Sequence, residues 1–321
     1  MYNNNRILAI GDIHADYEIF VNILLNVKII NRKGEWICGD TYVVQLGDIL
    51  DGKRPNVNTN KDFLESAGEI KICKMIIKLD KLAKEHGGRF ISILGNHELY
   101  PYYYYNDKEF ENDYVKDIDV KDYIKRYNMS RFQYYKPGKG PGAKHFGLTR
   151  PFMLQLGSVV FTHGSLNIKF LELCKKNDMT NSNGKYISIR KVNKSISEWM
   201  TGESKKIPFF INESENINPL FNRELTDPKQ MNKKDCKNNV SKILSYFRGA
   251  NYLVMGHSTH KHINSICENR VIRTDLGISR AFGNDLEKNI KRIEVLEILQ
   301  YKNKTKINII DNNGKHELKT Q

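Results

Sequence analysis

Val43-Val44-Gln45-Leu46-Gly47-Asp48-Ile49-Leu50-Asp51-Gly52 is an apolar run that ends in Gly-Asp. That is the pattern of a buried strand whose last residue leaves the sheet carrying a carboxylate. Two other runs end alike: Ile7-Leu8-Ala9-Ile10 leads into Gly11-Asp12-Ile13-His14, and Phe90-Ile91-Ser92-Ile93-Leu94 into Gly95-Asn96-His97-Glu98. Val159-Val160-Phe161-Thr162 and Tyr252-Leu253-Val254-Met255 each bring one histidine, His163 and His257. Strand ends in open α/β sheets are where loops converge on one crevice, and a glycine beside each polar tip allows a sharp turn and close approach. A single such tip is ordinarily a turn or a satisfied core histidine. Five together, carrying only metal-compatible side chains, predict a dinuclear metal site.

The 321 residues suffice for one large α/β domain with insertions or for two domains. No period repeats, which argues against a solenoid. No apolar run approaches the ~18 residues of a spanning helix, and the Met1-Tyr2-Asn3-Asn4-Asn5-Arg6 start does not read as a secretion signal, so no membrane association and a soluble, cytoplasmic protein are expected. Cys38, Cys73, Cys174, Cys236 and Cys267 are scattered, with no pair at metal or redox spacing, which fits a reducing compartment. Fifty-one Lys and Arg against thirty-seven Asp and Glu give a net charge of +14, favouring anionic partners. The lysines are spread along an Asn-rich chain without a nucleic-acid motif, which argues against a nucleic-acid partner.

Along the chain, the spacing predicts a first strand from residue 6, a helix from Asp16 to Val27 capped by Asp16, a hairpin edge over 31–40 and a strand over 42–48. A polar loop follows, then a helix from Phe63 to His86 closed by Gly87-Gly88, and a strand over 89–94. This β-α-β-α-β order predicts parallel strands with crossover helices. Residues 101–150 read as an insertion on the rim of the site, with a flexible loop at Pro137–Gly142 that lacks the ending of a phosphate-binding loop. Residues 166–250, largely helical and polar, read as a cap. Strands are expected near 152–156, 158–162, 251–256, 271–275, 292–299 and 305–310, with the last ten residues frayed.

Carboxylate, imidazole and amide donors together suit borderline first-row ions, Mn ahead of Fe or Zn, in divalent or trivalent form. Two such ions side by side can bind two phosphoryl oxygens and hold a hydroxide in line, which makes phosphate ester hydrolysis the natural reaction. The motifs Gly11-Asp12-Ile13-His14-Ala15-Asp16, Gly47-Asp48-Ile49-Leu50-Asp51-Gly52, Gly95-Asn96-His97-Glu98, His163-Gly164-Ser165 and Gly256-His257-Ser258 occur in this order. They resemble the GDxHGD, GDxxDRG, GNHE, HGG and GH motifs of the calcineurin-like metallophosphoesterases, and within them the phosphoprotein phosphatases. Asn218-Pro219-Leu220-Phe221-Asn222-Arg223 and Thr274-Asp275-Leu276-Gly277-Ile278-Ser279 are similar to segments of the Shewanella-like branch.

The resemblance implies an α/β calcineurin-like fold, a central β-sandwich flanked by helices with a mainly helical cap, in one domain over 1–321. It implies that Asp12 and His14 bind a first metal, that Asp48 bridges, and that Asn96, His163 and His257 bind a second. His97 would protonate the leaving oxygen, with Asp51 holding that imidazole in its charged form. Gly52 stands where the family carries a phosphate-gripping Arg, leaving that task to Lys53 or Arg54; Ala15 replaces a Gly, a small change if the backbone keeps φ negative. Arg223 is a further candidate clamp, a planar fork for two phosphate oxygens, its alternative being an ion pair with Glu224 or another cap carboxylate. His260 and His262 read as surface residues or neighbours of the ligands. The expected activity is a phosphoprotein phosphatase acting on Ser/Thr or Tyr through a metal-bridging hydroxide. The competing readings are hydrolysis of dinucleoside polyphosphates or other small phosphoesters, and a non-catalytic phosphate-binding protein that kept the fold.

Overall fold

The β-α-β-α-β order is realised as three parallel strands. The computed structural model describes residues 6–227, 229, 236–302 and 304–318. β1 (Arg6–Ile10) pairs in parallel with β2 (Tyr42–Gln45), and β2 with β3 (Arg89–Ser92). α1 (Tyr17–Asn26) is capped by Asp16, whose carboxylate accepts from the Ile19 amide at 3.2 Å, and it buries Ile19, Phe20, Ile23 and Leu24. The hairpin expected over 31–40 is reduced to a single antiparallel bridge between Ile30 and Trp36.

The helix expected from Phe63 to His86 is two helices, α2 (Lys61–Leu64) and α3 (Glu69–Glu85). The break falls at Gly68, because any Cβ there would stand 1.8 Å from the backbone oxygen of Ala15. The chain passes too close to the Asp12–Ala15 loop to carry a side chain.

Residues 96–149 form five short helices: α4 (Asn96–Tyr103), α5 (Lys108–Tyr114), α6 (Asp117–Tyr127), α7 (Arg131–Tyr134) and α8 (Pro141–Thr149). The expected flexible loop at 137–142 instead runs into α8, with Pro141 in its first turn, where a missing amide hydrogen costs nothing. The chain then enters a second sheet through β4 (Met153–Leu156) and β5 (Val159–Thr162). Between β5 and β6 (Tyr252–Met255) lie α9 (Ile168–Lys176), α10 (Ile189–Thr201), a 3-10 turn at Phe209–Asn212 and α11 (Cys236–Ser245).

β7 (Asn264–Ile266), which the sequence pattern does not reveal, and β8 (Val271–Arg273) complete that sheet in the order β4-β5-β6-β8-β7. After α12 (Leu286–Lys291), the chain returns to the first sheet with β9 (Glu294–Tyr301), β10 (Lys304–Asp311) and β11 (Gly314–Glu317), in the order β11-β10-β9-β1-β2-β3. The end expected to fray thus pairs with β10 through residue 317; 319–321, like the start at 1–5, lie outside the described residues.

Both sheets contribute to one continuous buried apolar cluster, from Ile7, Val44 and Phe90 to Val160, Val254 and Ile272. The parallel strands β1, β2 and β3 of one sheet and β5 and β6 of the other carry every polar tip of the sequence pattern. No helix among the described residues is long and apolar enough to cross a membrane.

The cysteines depart from expectation. Cys236 at the start of α11 and Cys267 in the β7–β8 turn are joined as a disulfide, their Cα atoms 5.4 Å apart. Thirty-one residues separate them in sequence, so only the packing of α11 on that turn reveals the pair. Cys38, Cys73 and Cys174 are free.

Candidate metal centre and acid dyad

The centre is assembled from loops whose backbone is bent into the left-handed region. His14, Ala15, Asp48, Asp51 and His257 have φ between 43° and 72°. For residues other than glycine this costs on the order of 1–2 kcal/mol each. Ala15, at φ 52°, belongs to this group, so the expectation of a negative φ there is corrected: the site carries strain that glycine would avoid. Packing repays it. The Ile13 and His14 amides donate to the Asp48 carbonyl at 3.0 and 2.9 Å, the Ala15 amide to that of Ile49 at 2.8 Å, and the Glu98 carboxylate gathers the amides of Asp48, Ile49 and Gly95 at 2.9, 2.9 and 2.6 Å. Glu98, quoted above only as part of a motif, is therefore the clasp that joins the loops after β2 and β3.

Three carbonyls set the imidazoles. A carbonyl oxygen can only accept, so Nδ1 of His14 donates to Leu50 (3.2 Å), Nδ1 of His163 to Leu46 (2.7 Å) and Nε2 of His257 to Phe221 (3.0 Å). The opposite nitrogens then point inward as lone pairs. His163 Nε2 lies 2.8 Å from Asn96 Oδ1, 3.1 Å from His257 Nδ1 and 3.2 Å from Asp48 Oδ2. His14 Nε2 lies 3.8 Å from Asp48 Oδ2 and 4.0 Å from Asp12 Oδ2. Two donor groups share Asp48, one with His14 and His97 and the other with His163 and His257; Asn96 Oδ1 joins the second beside His163, and Asp12 flanks His14 at the first. Four acceptors facing one another within about hydrogen-bond distance, in a buried setting, are stable only around a proton or a cation, so these residues fit a metal.

The electrostatics of the site agree. Burial, then the Asp275 and Asp48 carboxylates, push Asp12 well above the carboxylate range. Burial, then Arg54 and His97, hold His14 well below its ordinary value, and burial, His163 and Arg223 do the same to His257. Both imidazoles thus stand in their neutral, metal-binding form. Asp48 is held low, against its burial, by His163, His97 and His14, and His163 is raised, against its burial, by Asp48.

His97 occupies the first turn of α4, its amide donating to Asp48 Oδ1 at 3.0 Å. Its Nδ1 donates to Asp51 Oδ2 at 2.8 Å, while Nε2 faces the centre 3.7 Å from Asp48 Oδ2. Sequence reasoning missed what stands behind this dyad. Arg131 of α7, with no exposed side-chain surface, bonds Asp51 Oδ1 at 2.5 Å and Glu69 at 2.8 and 3.0 Å. Against its burial, Asp51 and Glu69 hold the guanidinium charged. Glu69 in turn accepts from the Asp51 amide at 2.9 Å and from Tyr123 at 2.9 Å. Nothing in the local pattern of Arg131 marks it, because its partners lie 80 and 62 residues away.

The cationic candidates separate. Gly52 has no room for a longer residue, since a Cβ there would meet the Lys116 side chain at 2.7 Å and Ala15 at 3.1 Å. Lys53 turns outward, its ammonium on the Asn112 carbonyl, and lines a surface cleft with Lys61 and Asp117. Arg54 turns inward. Its Nη1 donates to the carbonyls of Asp51 (3.0 Å) and Lys53 (2.7 Å), and its guanidinium lies 4.7 Å from the Phe282 ring, which itself packs on His14. Arg223 reaches the centre from the other side, Nη1 donating to the His257 carbonyl (2.7 Å) and Ser258 Oγ (2.9 Å). No ion pair of Arg223 forms among the described residues, and Glu224 accepts from Asn239 instead. The segment is seated by Pro219 and Asn222 carbonyls that accept from the Gly164 and Ser165 amides at 3.0 and 2.8 Å. His260 donates to the Thr226 carbonyl and His262 pairs with Glu294 at the surface, so neither enters the donor groups.

Residues 5–261 match the family model of the calcineurin-like phosphoesterases. The chain belongs to that family. It is 29% identical to Shewanella-like protein phosphatase 1 of Plasmodium berghei over 86% of this chain and 68% of that protein. It is 24% identical to Shewanella-like protein phosphatase 2 of Arabidopsis thaliana over 91% and 75%. A solved cold-active protein-tyrosine phosphatase of a psychrophilic Shewanella superposes with a TM-score of 0.70 at 16% identity, covering 98% of this chain and 80% of that one. The family match names the two-sheet architecture described above as the calcineurin-like phosphoesterase fold, and this likeness shows the same fold in a solved structure.

Proposed function

We propose that this phosphoesterase is a dinuclear metal-dependent phosphatase of phosphoproteins. The observation that carries the reading is the pair of donor groups sharing Asp48, with His97 at the edge of the first and held there by Asp51. Asp12, His14 and Asp48 would hold one ion and Asp48, Asn96, His163 and His257 the other, Mn being the best match to mixed oxygen and nitrogen donors. Such ions supply positive charge to a phosphoryl group and lower the pKa of water.

The chain's own residues do the rest. Arg54 and Arg223, on opposite sides of the centre, bind the phosphoryl oxygens, a pair of guanidinium forks replacing the arginine that Gly52 cannot be. His97, its Nδ1 proton fixed on Asp51, presents Nε2 toward the centre and delivers a proton to the departing oxygen. Tyr100, its ring 4.3 Å from that of His97, and Phe221, 6.1 Å from Tyr100, form an aromatic wall on this side. The helices over 101–150 serve as a rim and the 166–250 segment as a cap in a single domain. The expected cytoplasmic location is retained; the Cys236–Cys267 pair would there be exposed to reduction.

The names of the relatives and of the superposed structure support protein substrates, phosphotyrosine included. The test is turnover by the Mn-loaded protein of phosphotyrosyl and phosphoseryl peptides against diadenosine tetraphosphate. Peptide turnover is expected to dominate, and to be abolished with loss of bound metal in Asp48→Asn. Preference for the dinucleotide would move the protein to the competing small-phosphoester reading; no turnover with both ions bound would leave a phosphate-binding protein.

A further inference from the structure

A groove of about 530 Å³ runs between α1 and α3 and ends at the turn over 31–34. Its floor is apolar: Tyr17, Val21, Leu25 and Met75 are half-buried, above buried Leu79. Its walls are cationic. Lys71, Lys74 and Lys78 line one side of α3 at three- and four-residue spacing, which puts them on one helical face, and Arg32 and Lys33 close the far end. All five are exposed, and none forms an ion pair among the described residues. Of the nearby carboxylates, Glu18 pairs with Arg280 and Asp80 with Lys84 and Arg89, while Glu35, bonded to Asn31, is the acidic group at the far end, where Arg32 and Lys33 outnumber it. Five like charges around one concavity repel each other and draw a complementary anion.

We propose that this groove is a docking surface for an acidic segment of a partner protein, its carboxylates on the lysines and an aliphatic side chain on the floor. From Tyr17 to Leu25 α1 rises about 12 Å, the reach of about four residues of extended peptide. A nucleic acid fits less well, because the only aromatic face of the floor, Tyr17, is covered by Lys71 at 5.7 Å and offers no stacking platform. A bilayer fits less well, because the apolar surface lies below the cations, where a flat membrane does not reach. The groove begins at the first turns of α1 and α3, which follow the His14 loop and Glu69. A docked segment would therefore start near the metal centre and lead away from it.

The test uses the full-length protein and a fluorescent peptide of alternating glutamate and leucine, followed by anisotropy at 0.15 M salt. Saturable binding is expected, weakened about tenfold or more by combined Lys71→Glu, Lys74→Glu and Lys78→Glu, and independently by Met75→Glu. Thermal melting at the wild-type temperature checks that these variants fold, a readout that does not depend on phosphatase activity. The proposal is overturned by absence of saturable binding, by equal affinity for a glutamate–glycine peptide, by unchanged affinity in the charge-reversed protein, or by tighter binding of oligothymidine or phosphatidylserine vesicles.

Discussion

His97 is held at both ends, by Asp51 on Nδ1 and by its own amide on Asp48, so its removal separates proton delivery from metal binding. An alkoxide leaving from phosphoserine needs that proton, whereas nitrophenolate does not. His97→Ala is expected to slow phosphoserine peptides by ~10²–10⁴ and p-nitrophenyl phosphate much less, with metal content unchanged by elemental analysis. Equal losses on both substrates would remove the acid role. For the clamps, Arg54→Ala and Arg223→Ala should each raise KM and lower kcat/KM at full metal content, while Lys53→Ala, its ammonium turned to Asn112, should leave both constants near wild type. His163 bears on pH. Asp48, against the burial of the imidazole, raises its pKa, so a proton competes with metal for Nε2, and the group contributes stability that is full below about pH 6.5 and lost as pH rises through its folded value. Metal affinity should therefore increase from pH 6 to pH 8, measurable by calorimetric titration with proton release; a flat profile would contradict the assignment.

At the scale of elements, the His97–Asp51 pair depends on helices that contribute none of the proposed metal ligands. Arg131 brings α7, and through Glu69 the first turn of α3, onto Asp51. Arg131→Met leaves two carboxylates buried without their cation, a loss of about 3–5 kcal/mol. Thermal melting should show it, and the protein that remains folded should copy the leaving-group pattern of His97→Ala, because Asp51 is no longer positioned. A melting temperature unchanged from wild type would mean that the network carries no stability. Periodicity in the sequence showed α1 and α3 well, since their apolar faces are read from local spacing. It missed the break before α3, because Gly68 is required by the Ala15 oxygen in another part of the chain.

For the whole molecule, the centre lies where the parallel strand ends of two sheets meet. Asp12, His14, Asp48 and Asn96 come from one sheet, His163 and His257 from the other. Under the proposed assignment the ion on Asp48, Asn96, His163 and His257 would tie the two sheets together and bind only the folded chain. Mn at a hundredfold excess over its Kd should add about 2.7 kcal/mol per site of stability, seen as a higher Tm that chelation reverses. No Tm response would argue against a site spanning the sheets.

The convergence of these polar tips was legible in the chain because each strand ends in its own short signal: apolar run, glycine, polar tip. That signal is local, and local physics dictates it. What only the tertiary structure decided depends on residues far apart in sequence. Arg54 faces the centre because the Asp51 carbonyl and the Phe282 ring hold its guanidinium, and Lys53 turns away to the Asn112 carbonyl. Ala15 accepts a left-handed φ because the Ile49 carbonyl holds its amide. Arg131 becomes the partner of Asp51 by the folding of α7 onto α3, and Cys236 meets Cys267 when α11 packs on the β7–β8 turn. In each case the cause is the desolvation or steric demand of a distant neighbour, which a one-dimensional pattern does not contain.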